Sequence, residues 1–247
     1  MKKLLCIVFI SSILFSEESG MFFGLGIGGG FNTSGYMKYN DIATDTIKGH
    51  GFDAEFIFGY KQFFIQNVGL RYYLNIDYSP GIDLRSDSEA ELRDIINSSS
   101  LSQEAKQDLM DSIKPHKVDI FNAGLNIDLL FNFVVSDNMD IGLYGGGQIG
   151  FNTLSGSLAK SVHDAYEEII NKSFNYRVKA ATIDFSTSIN FGLRASFFKN
   201  NAMELFAKIP MLENNLFHYE STVGNKDETS IYFKQPYIVG IRYVFSF

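Results

Sequence analysis

Eight stretches of this chain place apolar residues at every second position, and each is about the ten residues a tilted strand needs to cross a bilayer. In residues 21–31 the apolar set is Met21, Phe23, Leu25, Ile27 and Phe31, with glycines between them. Residues 52–60 set Phe52, Ala54, Phe56, Phe58 and Tyr60 against Asp53, Glu55 and Gly59. The pattern returns at 68–78, 121–133, 139–151, 183–197, 203–211 and 237–247. Strict alternation of this kind marks strands with one apolar and one polar face. The connections alternate too: short at 61–67, 136–138 and 199–201, long at about 32–51, 79–117, 152–181 and 212–235. An even strand count with short turns on one side and long loops on the other predicts an all-β fold, an eight-stranded antiparallel transmembrane β-barrel of the outer-membrane type.

In hydrocarbon the backbone finds no water, so the sheet must close and turn its apolar face outward. The terminal row Tyr237, Val239, Ile241, Tyr243, Phe245 and Phe247 then faces lipid. With 24 Phe, 13 Tyr and no Trp, Phe and Tyr must form the aromatic girdles. A β-sandwich would have to bury these rows between two sheets, and the regular alternation of long and short connections argues against it.

Residues 1–16 have a basic start (Lys2, Lys3), an apolar run from Leu4 to Phe15 and small or acidic residues beyond, the layout of a secretory signal peptide. Cleavage is expected after Ser16, with Gly20 as the alternative, leaving 17–247 as the barrel. The only cysteine, Cys6, falls in that leader, so the exported chain would have no disulfide. The expected location is the outer membrane of a Gram-negative bacterium, termini on the periplasmic side and loops at the cell surface. No separate periplasmic domain is expected after Phe247.

Two long connections carry helical spacing. Residues 88–113 suggest two short amphipathic helices, with Ser88 and Glu91 fitting a capping box. Residues 157–172 suggest another through Leu158, Val162, Ala165, Tyr166, Ile169 and Ile170. Both are expected to pack over the mouth of the barrel.

The segments "GYKQFF…VGLRYYLNIDYSPG" (59–81), "DIFNAGLNIDLLFNFV" (119–134) and "INFGLRASFFKNNAMELFAKIPML" (189–212) together resemble the Helicobacter outer-membrane protein family of Hop/Hof-type paralogues. The resemblance covers about 52–80, 119–151 and 182–247. It implies an outer-membrane barrel, a C-terminal aromatic signal (Tyr243, Phe245, Phe247) read by the barrel-assembly machinery and, in some members, adhesion or pore activity. Large adhesin members carry a bulky domain near the N-terminus; here residues 32–50 form only a short connection, so no adhesin residues transfer.

Counted from the short-turn ends, Glu55, Arg71, Asp128, Arg194, Lys208 and Arg242 all fall inward at middle depth. In an eight-stranded bore, which side chains can fill, buried charges must pair. The expectation is an ion network that closes the lumen, with a small pore for ions or solutes as the alternative. Gly24-x-Gly26-x-x-Gly29 matches a dinucleotide fingerprint formally, but strand, loop and helix are not in the order it needs. It reads instead as small inward residues thinning one wall. His50, His116, His163 and His218 lie in long connections without metal-ligand spacing. Residues 218–221 (His-Tyr-Glu-Ser) supply the types for a lipid hydrolase, the remaining alternative. No catalytic, cofactor or metal site is expected, and a net charge of −7 argues against nucleic acid. Expected partners are outer-membrane lipid and lipopolysaccharide, the assembly machinery and a host-surface ligand, with the chain acting as a monomer in a structural or surface-interaction role.

Overall fold

Strands at both chain ends meet and close the sheet. The computed structural model describes residues 19–39, 42–112, 116–136, 138–157, 160, 164, 176–180, 183–198, 200–221 and 228–247. The strands are β1 (Gly20–Tyr39), β2 (Ile42–Ile65), β3 (Val68–Ser86), β4 (His116–Val135), β5 (Met139–Ser155), β6 (Tyr176–Ala180), β7 (Ile183–Phe197), β8 (Asn201–Pro210), β9 (Asn214–Ser221), β10 (Glu228–Lys234) and β11 (Tyr237–Ser246). Eight of them form an antiparallel ring in the order β11-β8-β7-β5-β4-β3-β2-β1, closed where β1 pairs with β11 from Phe22↔Ser246 to Phe31↔Tyr237. The expected eight-stranded barrel is the fold. The other three strands, β6, β9 and β10, continue the wall above it, with β10 pairing β1 and β9 pairing both β10 and β6.

The apolar rows are on the outside. Leu25, Leu125, Ile127, Ile149, Leu193 and Leu205 are all more than half exposed, a surface that hydrocarbon solvates and water does not. Aromatics bound the band at both edges. Phe23, Phe245 and Phe247 pack together at the turn end, with Tyr60 and Tyr72 beside them. Phe31 stacks on Tyr237 at the other edge. Ten residues of β1 separate Met21 from Phe31, which at barrel tilt makes a band roughly 25 Å tall.

Beyond that band, where open loops are expected from sequence, strands continue among the described residues. Residues 32–39 and 42–51 form the upper halves of β1 and β2, and parts of the other three long connections are strand as well. The side chains invert at the boundary. On β1 the inward row is Phe22, Gly24, Gly26 and Gly30, then Thr33 and Gly35; the change of phase occurs at Asn32, which has φ +53° beside a register shift. On β3 it occurs at Pro80–Gly81, where Gly81 takes φ +57°, a left-handed conformation easiest for glycine. Between β10 and β11 it occurs at Gln235–Pro236. Above these breaks Ile82, Leu84, Val118, Ile120, Leu154 and Phe233 are buried. Ile82 faces Val118, and Ile120 faces Leu154, as register partners. Apolar-out gives way to apolar-in because the solvent changes from lipid to water.

Two helices, α1 (Asp87–Ser98) and α2 (Gln103–Ser112), occupy the connection between β3 and β4 as expected. They pack on each other, with Lys106 Nζ donating to the Asn97 carbonyl (2.7 Å), and α1 touches the end of β3. Ile96 is buried, whereas Leu92 and Ile95 remain exposed. The Ser88 side chain of the expected capping box, residues 1–16 and most of the expected 157–172 helix lie outside the described residues.

Candidate functional site

The inward faces of the ring converge on a group of charges. All six residues expected in the lumen are buried: Glu55, Arg71, Asp128, Arg194, Lys208 and Arg242. Glu204, which was not among them, is the hub. Arg71 Nη1 donates to Glu204 Oε1 (2.7 Å), Arg242 Nε and Nη2 donate to Glu204 Oε2 (3.0 and 2.7 Å), and Arg194 Nε lies 3.7 Å from Oε1. Arg71 Nε also donates to Asp128 Oδ2 (2.9 Å), as does the Tyr73 hydroxyl (3.0 Å). Arg242 Nη1 reaches Glu55 Oε2 (2.8 Å), and Lys208 Nζ pairs with Glu55 and Asp77.

Register and sterics explain the convergence. Glu204 on β8 stands between Arg194 of β7 and Arg242 of β11 as Cα partner of both. Arg71 of β3 faces Asp128 of β4. Glu55 and Arg242 are not on adjacent strands; β1 runs between them and presents Gly26 there. A Cβ at Gly26 would sit 3.2 Å from Glu55 Oε2 and 3.4 Å from Arg242 Cβ. The thinned glycine wall thus has a specific consequence: it lets an ion pair form across a strand. Gly24 shares that inward row, and Gly29 lies in the same strand with no helix opening after it.

Aromatic rings sandwich the guanidinium groups. Arg71 lies 4.1 Å from the Tyr144 ring centroid, and Arg242 lies 5.4 Å from that of Phe206. Tyr144 and Phe206 pack with Leu130 and Ile238, and a second apolar cluster of Phe22, Ile57, Tyr73, Ala202 and Val244 fills the turn end. On the other side of the charges, amides link across the bore. Asn126 Nδ2 donates to Asn75 Oδ1, Asn190 Nδ2 to Asn126 Oδ1, and Gln148 Nε2 to Asn122 Oδ1, each at 2.6 Å.

Elsewhere the expected chemistry is thin. His50 is exposed, its Nδ1 accepting from the Asn32 amide (3.4 Å). The side chains of His116, His163 and His218, and with them the hydrolase reading of 218–221, lie outside the described residues. Among the described residues no group of three or more His, Cys, Asp or Glu could hold a metal. In the upper wall Tyr36 donates to Glu213, which also pairs with Lys234 (3.1 Å). Partial burial and then the Glu213 carboxylate raise the Tyr36 phenol above its usual range. At the terminus Tyr243 and Phe247 are exposed on the outer face, and Phe245 packs between Phe23 and Phe247.

The sequence matches the Helicobacter outer membrane protein family over residues 55–247. The chain belongs to that family. It is therefore an outer-membrane β-barrel protein with its long connections at the cell surface, and the lipid-solvated band and closed ring have their physical reason. No curated protein sequence matches the chain. The structure is similar to outer membrane protein OprG from Pseudomonas aeruginosa (TM-score 0.49, 12% identity, 94% of this chain and 99% of that one). It is also similar to a major outer membrane protein from Thermus thermophilus (0.38, 11%, 92% and 99%) and to Neisserial surface protein A (0.36, 11%, 92% and 99%).

Proposed function

We propose that this family member is a non-conducting barrel whose charge network plugs the lumen, and that its work is done by the wall and helices standing outside the membrane. The observation that carries this is Glu204: one buried carboxylate gathers arginines from β3, β7 and β11, tying opposite sides of the bore together. The apolar cluster at the turn end and the buried residues above the boundary support a filled interior. The surface part is a structural and interaction element meeting lipopolysaccharide, neighbouring barrels or a host-surface ligand. The chain acts as a monomer, with Tyr243, Phe245 and Phe247 serving as its assembly signal. The pore reading stands second, on the polar amide-lined region above the charges.

Recording from refolded protein in planar bilayers separates the two. A plugged lumen gives a bilayer indistinguishable from protein-free membrane apart from brief flickers. Sustained conductance on the order of a nanosiemens, of the kind an aqueous channel gives, would establish the pore.

A further inference from the structure

Between the charge network and the apolar upper wall lies a cavity of about 30 Å³, room for a small ion or one to two waters. Asp53, Asp77, Asn122, Gln148, Ser188 and Lys208 are among its lining. Charge is uneven here. Below, Glu204 is answered by three arginines, Asp128 by Arg71 and Glu55 by Arg242. At the cavity, the lining carboxylates Asp53 and Asp77 have one lining cation, Lys208, which pairs with Asp77 and also touches Glu55. Asp77 Oδ2 accepts from Lys208 and from Asn75 Nδ2 (2.8 Å). Its other oxygen, Oδ1, finds no hydrogen-bond donor among the described residues, although Asp77 is only 3% exposed. Asp53, 2% exposed, accepts from the Ser79 hydroxyl (2.6 Å).

We propose that this cavity is a binding site for a small monovalent cation, an alkali ion or an ammonium group, with Asp77 Oδ1 as its anchoring ligand. Burying two carboxylates against one ammonium leaves about one negative charge uncompensated, and an uncompensated buried charge is strongly unfavourable. Gln148 Oε1 adds a neutral oxygen with a lone pair to share beyond the hydrogen bond it accepts from Ser188, while Asn122 beside it already accepts from Gln148 and Asn75. Hard cations take oxygen ligands of this kind. The carboxylates exclude an anion, and a divalent ion would want the denser carboxylate set that the described residues do not provide. Pro210 and Leu212, partly exposed where β8 leaves the band, also line the cavity. This reading does not depend on whether the lumen conducts.

The test uses the mature protein refolded in detergent micelles, with N-methylglucamine as the only other cation and ionic strength held constant. Potassium, ammonium, methylammonium and magnesium chlorides are titrated separately, reading thermal unfolding and the side-chain amide resonances of Asn122 and Gln148. Expected is saturable stabilisation by potassium or a small ammonium ion, with both resonances moving along the same curve. In Asp77→Asn the apparent affinity should weaken by about tenfold or more. Asp53→Asn serves as the second variant, with the same expectation, should Asp77→Asn fail to fold. Equal responses to potassium and N-methylglucamine, an unchanged curve in both variants, or a response to acid alone would each overturn the proposal. The last would mean that a shared proton or a water satisfies Asp77 instead.

Discussion

Glu204→Ala should lower the stability of the folded barrel by about 3–5 kcal/mol, the cost typical of removing one partner from a buried ion pair. The Glu204 side chain is fully buried, and it accepts from or pairs with Arg71, Arg194 and Arg242. Without it, three guanidinium groups face one another in a dry bore with Asp128 and Glu55 as the remaining nearby anions. Glu204→Gln keeps the volume and an acceptor oxygen while losing the charge, so its effect should fall between wild type and alanine. Urea titration in detergent, read by the band shift of folded against heat-denatured barrel on gels, gives the midpoints. If Glu204→Ala unfolds at the wild-type midpoint, the hub does not hold the barrel together.

The second large effect is on the outer surface. Leu125 is 62% exposed on the outward row of β4. Arginine at an exposed leucine of a water-soluble protein changes stability by about 0.5 kcal/mol or less. At the middle of a lipid-facing strand it costs about 2–4 kcal/mol. Leu125→Arg should therefore sharply reduce the fraction folded in lipid vesicles. Lys117 stands on the same row of the same strand, roughly 26 Å further along it, with an exposed side chain beyond the band. Lys117→Leu should leave folding unchanged. Equal, small effects at both positions would mean that water, not hydrocarbon, bathes residue 125.

Those two residues also show how much the sequence could reveal. Within the band, lipid demands apolar residues outward over some ten positions, and that demand is written directly into the order of residues 121–133. Above it the demand reverses. Asn32, Pro80–Gly81 and Pro236 each shift the phase by one residue, so an alternation sought in a single phase fades where the strands in fact continue. The long connections look like loops for that reason. Among the charges, depth along each strand, taken separately, points to the six expected residues. Glu204, register partner of Arg194 and Arg242, and Asp77, register partner of Glu55, lie at the same depth and meet that rule too, while Asp53 lies two residues further from the short turn than Glu55. Hairpin symmetry was the available signal: the tight turn that pairs Phe197 with Asn201 also pairs Arg194 with Glu204. The contacts of Glu204 with Arg71 across the bore, and the Glu55–Arg242 pair over Gly26, depend on ring closure. No local pattern encodes that closure.

The inversion of solvent along one strand is the point on which the fold, the network and the surface role all rest, and a spin-label scan of β1 measures it. Single cysteines are introduced at Phe22, Phe23, Leu25, Ile27, Phe31, Thr33, Ser34 and Tyr36 of the chain from residue 17 onward, which has no cysteine of its own. Collision with oxygen reports lipid, and collision with a water-soluble nickel chelate reports water. Oxygen contact should be high at 23, 25, 27 and 31, and neither reagent should reach 22 or 33. At 34 and 36 the chelate should take over, with the accessible positions changed from odd to even across Asn32. Chelate contact at 25 and 27 equal to that at 34, or odd positions remaining the accessible ones above Asn32, would contradict the lipid-facing assignment and the inward core that depends on it.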